Sequence, residues 1–224
     1  PAGNPQEIVF TENGSEVARA IFDKDGNSRL TGKIPDAQYR EYSEDGGLKY
    51  EWNYKDGKPT GLCRQYGESG VLICEWNYSG GLLEGESKSF HNNGKPSWMG
   101  TYKNGKKEGK FVDYHGGMYT EWNYAGGKLQ GVSRKYTASS TPGKSGNLTA
   151  ENNYKDNMLE GLSKEYYPSG KIQRESLYYG GRLNGLTKIY YAATGKTAVE
   201  ENFYYDKREG ASKWYYPGGE IMWQ

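Results

Sequence analysis

The sequence predicts an all-β fold, an elongated single-layer antiparallel meander of successive β-hairpins, two strands to each repeat of about 24 residues, twisted or curled. Three observations carry this expectation. A grid of aromatic and glycine residues recurs: with Tyr54 at position zero, Gly57 and Gly61 stand three and seven residues later, Tyr66 twelve and Gly70 sixteen later. The grid falls again on Tyr78, Gly81, Gly85, Phe90 and Gly94, and on Tyr154, Asn157, Gly161, Tyr166 and Gly170. Each repeat holds two stretches of about six residues rich in Tyr, Trp and Thr, separated by glycine, and no window keeps a helical period. Length variation falls after the twelfth position, never inside the Tyr-to-Tyr block, as a repeating hairpin tolerates.

In chain order, Phe10 reads as the twelfth position of a half-repeat over 7–14. The first full repeat, starting near 17, is stretched, and its surplus around Gly26 to Gln38, with Pro35 inside, reads as a loop. Further repeats start near 49, 73, 97, 119, 149, 173 and 198, and 219–224 reads as a closing strand, so 1–224 is expected to form a single repeat domain. Thr137 to Gly146, with Ser139, Pro142 and Gly143, reads as a polar loop.

The turns follow from the glycines. Lys55-Asp56-Gly57 and Glu68-Ser69-Gly70 each place glycine third in a three-residue loop, where a type I turn with a G1 bulge needs left-handed geometry. Asn157 and Asp206 replace glycine there with residues that tolerate positive φ. With both turns of this kind, Tyr54 faces Lys58, Trp52 faces Thr60 and Tyr66 faces Leu72. Parity then puts Trp52, Tyr54, Leu62, Arg64, Tyr66, Leu72, Trp76 and Tyr78 on one face, and Glu51, Asn53, Gly61, Cys63, Gln65, Glu75 and Asn77 on the other. Cys63 and Cys74 come out on opposite faces, which disfavours a disulfide.

Composition narrows the function. A hydrophobic content of 34% with Gly 33 and Tyr 22 leaves aromatic rings as the main apolar material. A net charge of +1 gives no field for DNA or RNA and no polybasic anchor, and no apolar run reaches the length of a membrane span. Two cysteines and two histidines make neither a disulfide framework nor a zinc site. No cofactor or metal is expected, and no nucleophile with a base or phosphate-binding loop before a helix is found, so the chain reads as no enzyme. The abrupt start at Pro1 reads as a trimmed or processed end, favouring an extracytoplasmic location, periplasmic or cell-surface.

Two rows and one gradient are candidates for function. Ten residues after zero stand Arg64, Lys88, Val112, Arg134, Lys164, Lys188 and Lys213, expected on the aromatic face as stems laid along rings or as a ladder of cations for an acidic segment. Three residues before zero stand Glu51, Glu75, Glu121, Glu151, Glu175 and Glu200, followed by Asn53, Asn77, Asn123, Asn153 and Asn202, whose equal spacing argues for satisfying strand and turn groups rather than catalysis. Trp52, Trp76, Trp98 and Trp122 crowd the first half. Together with Tyr54, Tyr78 and Tyr124 they form a candidate surface for a sugar or a partner's side chain, alongside Arg64, Lys88 and Arg134.

The run Tyr-x-x-Gly-x-x-x-Gly with a following aromatic and glycine, as in Tyr78 to Gly94, resembles the variant MORN repeat of many bacterial proteins, from Phe10 to Gly219. The resemblance implies a scaffold of hairpins for protein interaction, with antitoxin-like or immunity-like proteins and surface lipoproteins among its members. Departures are Asp206 in place of glycine, Gly100 and Met99 where Trp and Glu stand elsewhere, and the stretched first repeat. A non-enzymatic scaffold with an unidentified protein partner is thus the first expectation. An extracytoplasmic carbohydrate or cell-wall module using the tryptophans is the second, and part of a membrane-surface assembly the third.

Overall fold

The structure, a computed structural model, describes residues 7–12, 14–22, 28–137 and 146–224. The polar loop expected between Thr137 and Gly146 lies outside the described residues over 138–145, as do 26–27 of the first surplus. Two compact units divide the chain, 1–96 with 102–105, and 97–101 with 106–224. All the described regular structure is β, and in each unit the strands follow one another as antiparallel hairpins.

The first unit opens with a three-stranded sheet, β1 (Glu7–Glu12), β2 (Ser15–Phe22) and β3 (Ser28–Gly32). The meander then begins with β4 (Ala37–Tyr42), β5 (Leu48–Lys55), β6 (Lys58–Pro59), β7 (Gly61–Tyr66) and β8 (Leu72–Ser79). The second unit repeats the pattern from Lys106–His115 paired with Met118–Ala125 to Lys207–Tyr215 paired with Ile221–Trp223. β3 occupies part of the stretch read as a loop, while Pro35 lies outside any strand.

One of the two expected turns is corrected. Lys55 pairs with Lys58 and Tyr54 with Pro59, so the turn holds two residues, Asp56 and Gly57, with φ of 51° and 72°. Both are left-handed, the type I′ geometry that Asp-Gly favours because its twist matches the strands. Tyr54 therefore does not face Lys58, and Thr60 bonds its N–H to the Asn53 carbonyl at 2.8 Å instead of facing Trp52. The second turn is three residues long: Tyr66 faces Leu72, Gly67 donates to the Val71 carbonyl at 2.8 Å, and Gly70 has φ of 72°.

A one-residue change in a turn moves every later side chain to the other face. Glu51 stands opposite Arg64, Arg64 opposite Glu75, and Cys63 opposite Trp76. Cys63 and Gln65 thus join Trp52, Tyr54, Trp76 and Tyr78 on the ring face, and Leu62, Arg64, Tyr66 and Leu72 join Glu51, Asn53, Glu75 and Asn77. Cys74, two residues before Trp76 and opposite Gln65, is on the ring face as expected, and the bulge between the Gln65–Cys74 and Tyr66–Leu72 pairs is what carries Leu72 to the other face. The cysteines share a face, against the expectation, and both are free.

The ring face supplies the core. Nine residues after zero stand Cys63 and Ser87 in the first unit, and Ser133, Ser163 and Thr187 in the second, each under 9% exposed. A side chain this small is buried on a sheet face only where larger neighbours close over it, so the rings cover a floor of small residues. At the N-terminal end a second layer adds to this. Phe10, Ala18 and Ala20 pack with Ile34 against Tyr39 and Tyr54. The Phe10 ring meets Tyr39 and Tyr54 edge-to-face at 5.1 and 5.3 Å.

Two devices join the strands. At the second glycine of each motif the strand bulges, with Gly61 at φ 64° and Gly161 at φ 83°. The asparagine before zero bridges the gap: Asn53, Asn77, Asn123 and Asn153 donate their side-chain amides to the carbonyls of Leu62, Glu86, Val132 and Leu162 at 2.5 to 2.6 Å. Between repeats, the N–H of the second residue of the two-residue turn donates backward, Gly81 to Pro59, Gly105 to Leu83, Gly127 to Lys107 and Gly181 to Leu159, at 2.8 to 2.9 Å. Glu84, Glu108 and Glu160 accept the adjacent N–H of Asn104, Gly126 and Gly180 at 2.7, 2.8 and 2.9 Å.

Candidate interaction surface

The acidic and basic rows share the face opposite the rings, which corrects the placement of Arg64, Lys88 and Arg134 beside the aromatic residues. Each strand offers its charge to its neighbours. Arg64 reaches Glu75 at 3.0 Å and Glu51 at 3.6 Å, Arg134 reaches Glu151 at 2.8 Å, Lys164 reaches Glu175 at 3.4 Å and Lys188 reaches Glu200 at 3.0 Å. Lys88 stands opposite Glu75 and contacts Glu86 at 3.5 Å. Where the basic position holds the buried Val112, Lys110 takes over and meets Glu121 at 2.5 Å.

Tyrosines complete this face. Tyr66, Tyr190 and Tyr215 donate their hydroxyls to Glu51, Glu175 and Glu200 at 2.9, 2.5 and 3.0 Å. The Tyr66 hydroxyl first, then Arg40 and Arg64, hold the Glu51 carboxyl below its ordinary range against the opposing effect of burial. Lys188 does the same for Glu200, with Tyr215 assisting. Alternating charges in contact give an ordered and locally neutral surface, in place of a free ladder of cations.

On the other face the candidate aromatics are largely engaged with one another. Trp52 stacks on Tyr50 at 5.7 Å and on Trp76 at 6.3 Å, with 8° between the indole planes. The Trp52 indole N–H is buried without a hydrogen-bond partner. Tyr54 belongs to the Phe10 cluster, and burial pushes the hydroxyls of Tyr54 and Tyr78 up to about 12. In the second unit Trp98 stacks on Phe111 at 5.9 Å, Trp122 donates to Asp113 at 2.8 Å, and Lys107 lies over Phe111 and Tyr124 at 4.5 and 4.9 Å.

A group not singled out from sequence stands in the last repeats. Tyr179, Tyr204 and Tyr205 are 56%, 56% and 38% exposed. Tyr205 meets Tyr204 at 4.8 Å and Tyr179 at 6.5 Å, both edge-to-face. Tyr205 is also held at φ 46° in the turn position that Asp56 and Asn104 occupy elsewhere, an uncommon conformation for a bulky residue. The doubled tyrosines at 178–179 and 204–205 were the available signal, hidden because Tyr178 belongs to the grid.

Among the described residues no group of three or more His, Cys, Asp or Glu is placed to hold a metal ion, and no helix is long and apolar enough to cross a membrane. No curated protein matches the chain. The MORN repeat variant model matches residues 35–56, 83–104 and 159–178. MORN repeats are a non-catalytic repeat type that serves in protein and membrane interaction. At these three segments the chain is similar to the MORN repeat variant.

Proposed function

We propose that the chain is a non-enzymatic scaffold that binds a protein partner, in the manner of the antitoxin-like or immunity-like proteins its repeats resemble. The observation that carries this reading is the exposed cluster of Tyr179, Tyr204 and Tyr205. Large rings held by a hydrogen-bonded turn lose little freedom on binding and are favoured anchors at protein interfaces. The Asp206 N–H and side-chain oxygen fix that turn to Leu183 at 2.9 and 2.8 Å. The carbohydrate reading has less support, because Trp52 and Trp76 spend a ring face on each other.

The test is crosslinking in extract of the source cell, followed by affinity measurement with the captured protein. The Tyr179→Ala, Tyr204→Ala double variant is expected to bind at least about tenfold more weakly, with Trp52→Ala unchanged. Wild-type binding on a glycan array that Trp52→Ala abolishes would overturn the proposal in favour of the carbohydrate module.

A further inference from the structure

The first strand of the meander, β4, carries receptors that are filled elsewhere in the row. Inside the array, Arg64 lies between two glutamates, Glu75 on the following strand and Glu51 on the preceding one. Tyr66, two residues on, donates to that same preceding glutamate, and Tyr190 and Tyr215 repeat the contact with Glu175 and Glu200. Arg40 and Tyr42 hold these two places on β4. Arg40 has its following glutamate, Glu51, at 3.1 Å, but no described residue supplies a preceding one. Its side chain is 53% exposed, against 38% for Arg64. Tyr42 is 55% exposed, with no hydrogen-bond partner for its hydroxyl among the described residues.

The backbone is open in the same place. β4 pairs with β5 along one edge. Among the described residues no strand pairs with the other edge, because the chain before it is spent in the small sheet, where β3 pairs with β2. Unpaired N–H and C=O groups on such an edge are a template for another strand.

We propose that this edge binds an extended segment of a partner protein, which adds as a strand antiparallel to β4 and places a glutamate opposite Arg40. The inference rests on the reading of the chain as a protein-binding scaffold and adds the chemistry of the segment bound. Backbone hydrogen bonds supply attachment, and the carboxylate sets the register, since only opposite Arg40 does it reach both the guanidinium and the Tyr42 hydroxyl. The residues on either side of it then turn to the ring face, beside Tyr39 and Glu41. A glutamate flanked by aromatic residues meets these requirements, as Tyr50-Glu51-Trp52 does beside β7.

A synthetic peptide copying residues 48–55, LKYEWNYK, is the probe. Fluorescence anisotropy with the full chain is expected to show saturable binding, weakened at least about tenfold by Arg40→Glu or by lysine in place of the peptide's glutamate. Arginine at that peptide position restores binding to Arg40→Glu, and N-methylation of alternate peptide amides abolishes it. Absence of binding, or binding indifferent to Arg40→Glu, overturns the proposal, as does self-association of the chain that Arg40→Glu removes. Failure of the peptide while Tyr179→Ala, Tyr204→Ala still loses the captured partner would refute this inference alone.

Discussion

Gly100 lies directly beneath the ring of Phe111: a Cβ built on the glycine would stand 2.3 Å from the nearest ring carbon. The first unit carries the opposite arrangement, with the bulky Trp76 facing the small Cys63. Gly100 occupies the tryptophan's position in its repeat, and Phe111 the position of Cys63, so the pair has exchanged sizes across the strands. The tryptophan missing there is a packing substitution, and Phe111 is 1% exposed.

Gly100→Trp is therefore expected to abolish the native fold of the second unit, since the ring of Phe111 has no room to yield. Phe111→Ser alone should cost about 3–5 kcal/mol, the range for emptying a phenylalanine site. The double variant restores the size order of the neighbouring repeats and should be more stable than the sum of the two single changes predicts, by about 1–3 kcal/mol in a denaturant-based cycle. Strict additivity would disprove the exchange.

How far the sequence could be read is decided by such local pairs. The repeat period, the strand pairs and the Tyr66 to Leu72 turn were legible because glycine spacing and aromatic alternation are backbone signals. The face of Arg64 was not, because Lys55-Asp56-Gly57 fits a three-residue loop while Asp56-Gly57 alone fits a type I′ turn, and one residue separates the two outcomes. The small sheet was hidden because Phe10 and Gly14 satisfy the repeat grid, while its packing on Tyr39 and Tyr54 is a contact between distant parts of the first unit. The open edge of β4 needed the filled contacts of Arg64 and Tyr66 for comparison, and these depended on the corrected register.

The asparagine before zero should be worth more than its exposure suggests. Asn153 donates its amide to the Leu162 carbonyl at 2.6 Å, across a bulge where Gly161 stands at φ 83°. Asn153→Ala leaves that carbonyl without a donor and is expected to cost about 1–3 kcal/mol in urea unfolding. Asn153→Asp should be no better, because an ionised carboxylate only accepts and would face a carbonyl oxygen. If the aspartate variant matched the wild type, the amide would have no bridging role.

Acid should loosen the charged face in a defined window. Glu51 and Glu200 are both lowered from 4.5, Glu51 chiefly by the Tyr66 hydroxyl and Glu200 chiefly by Lys188. A carboxylate held low in the folded chain contributes stability that is present above its unfolded value and lost as the pH falls through the folded one. The Tm is therefore expected to fall between about pH 5 and about pH 3, more steeply in the wild type than in Glu51→Gln. Tyr66→Phe removes the leading cause of the Glu51 shift and should give an intermediate slope, with a loss at neutral pH of about 0.5–1.5 kcal/mol for the missing hydrogen bond. Glu200→Gln should flatten the curve further when combined with Glu51→Gln, because the two carboxylates lie in different units and share no partner. Thermal scans across that window decide the matter, and parallel curves for all four proteins would show that the carboxylates are held by geometry alone.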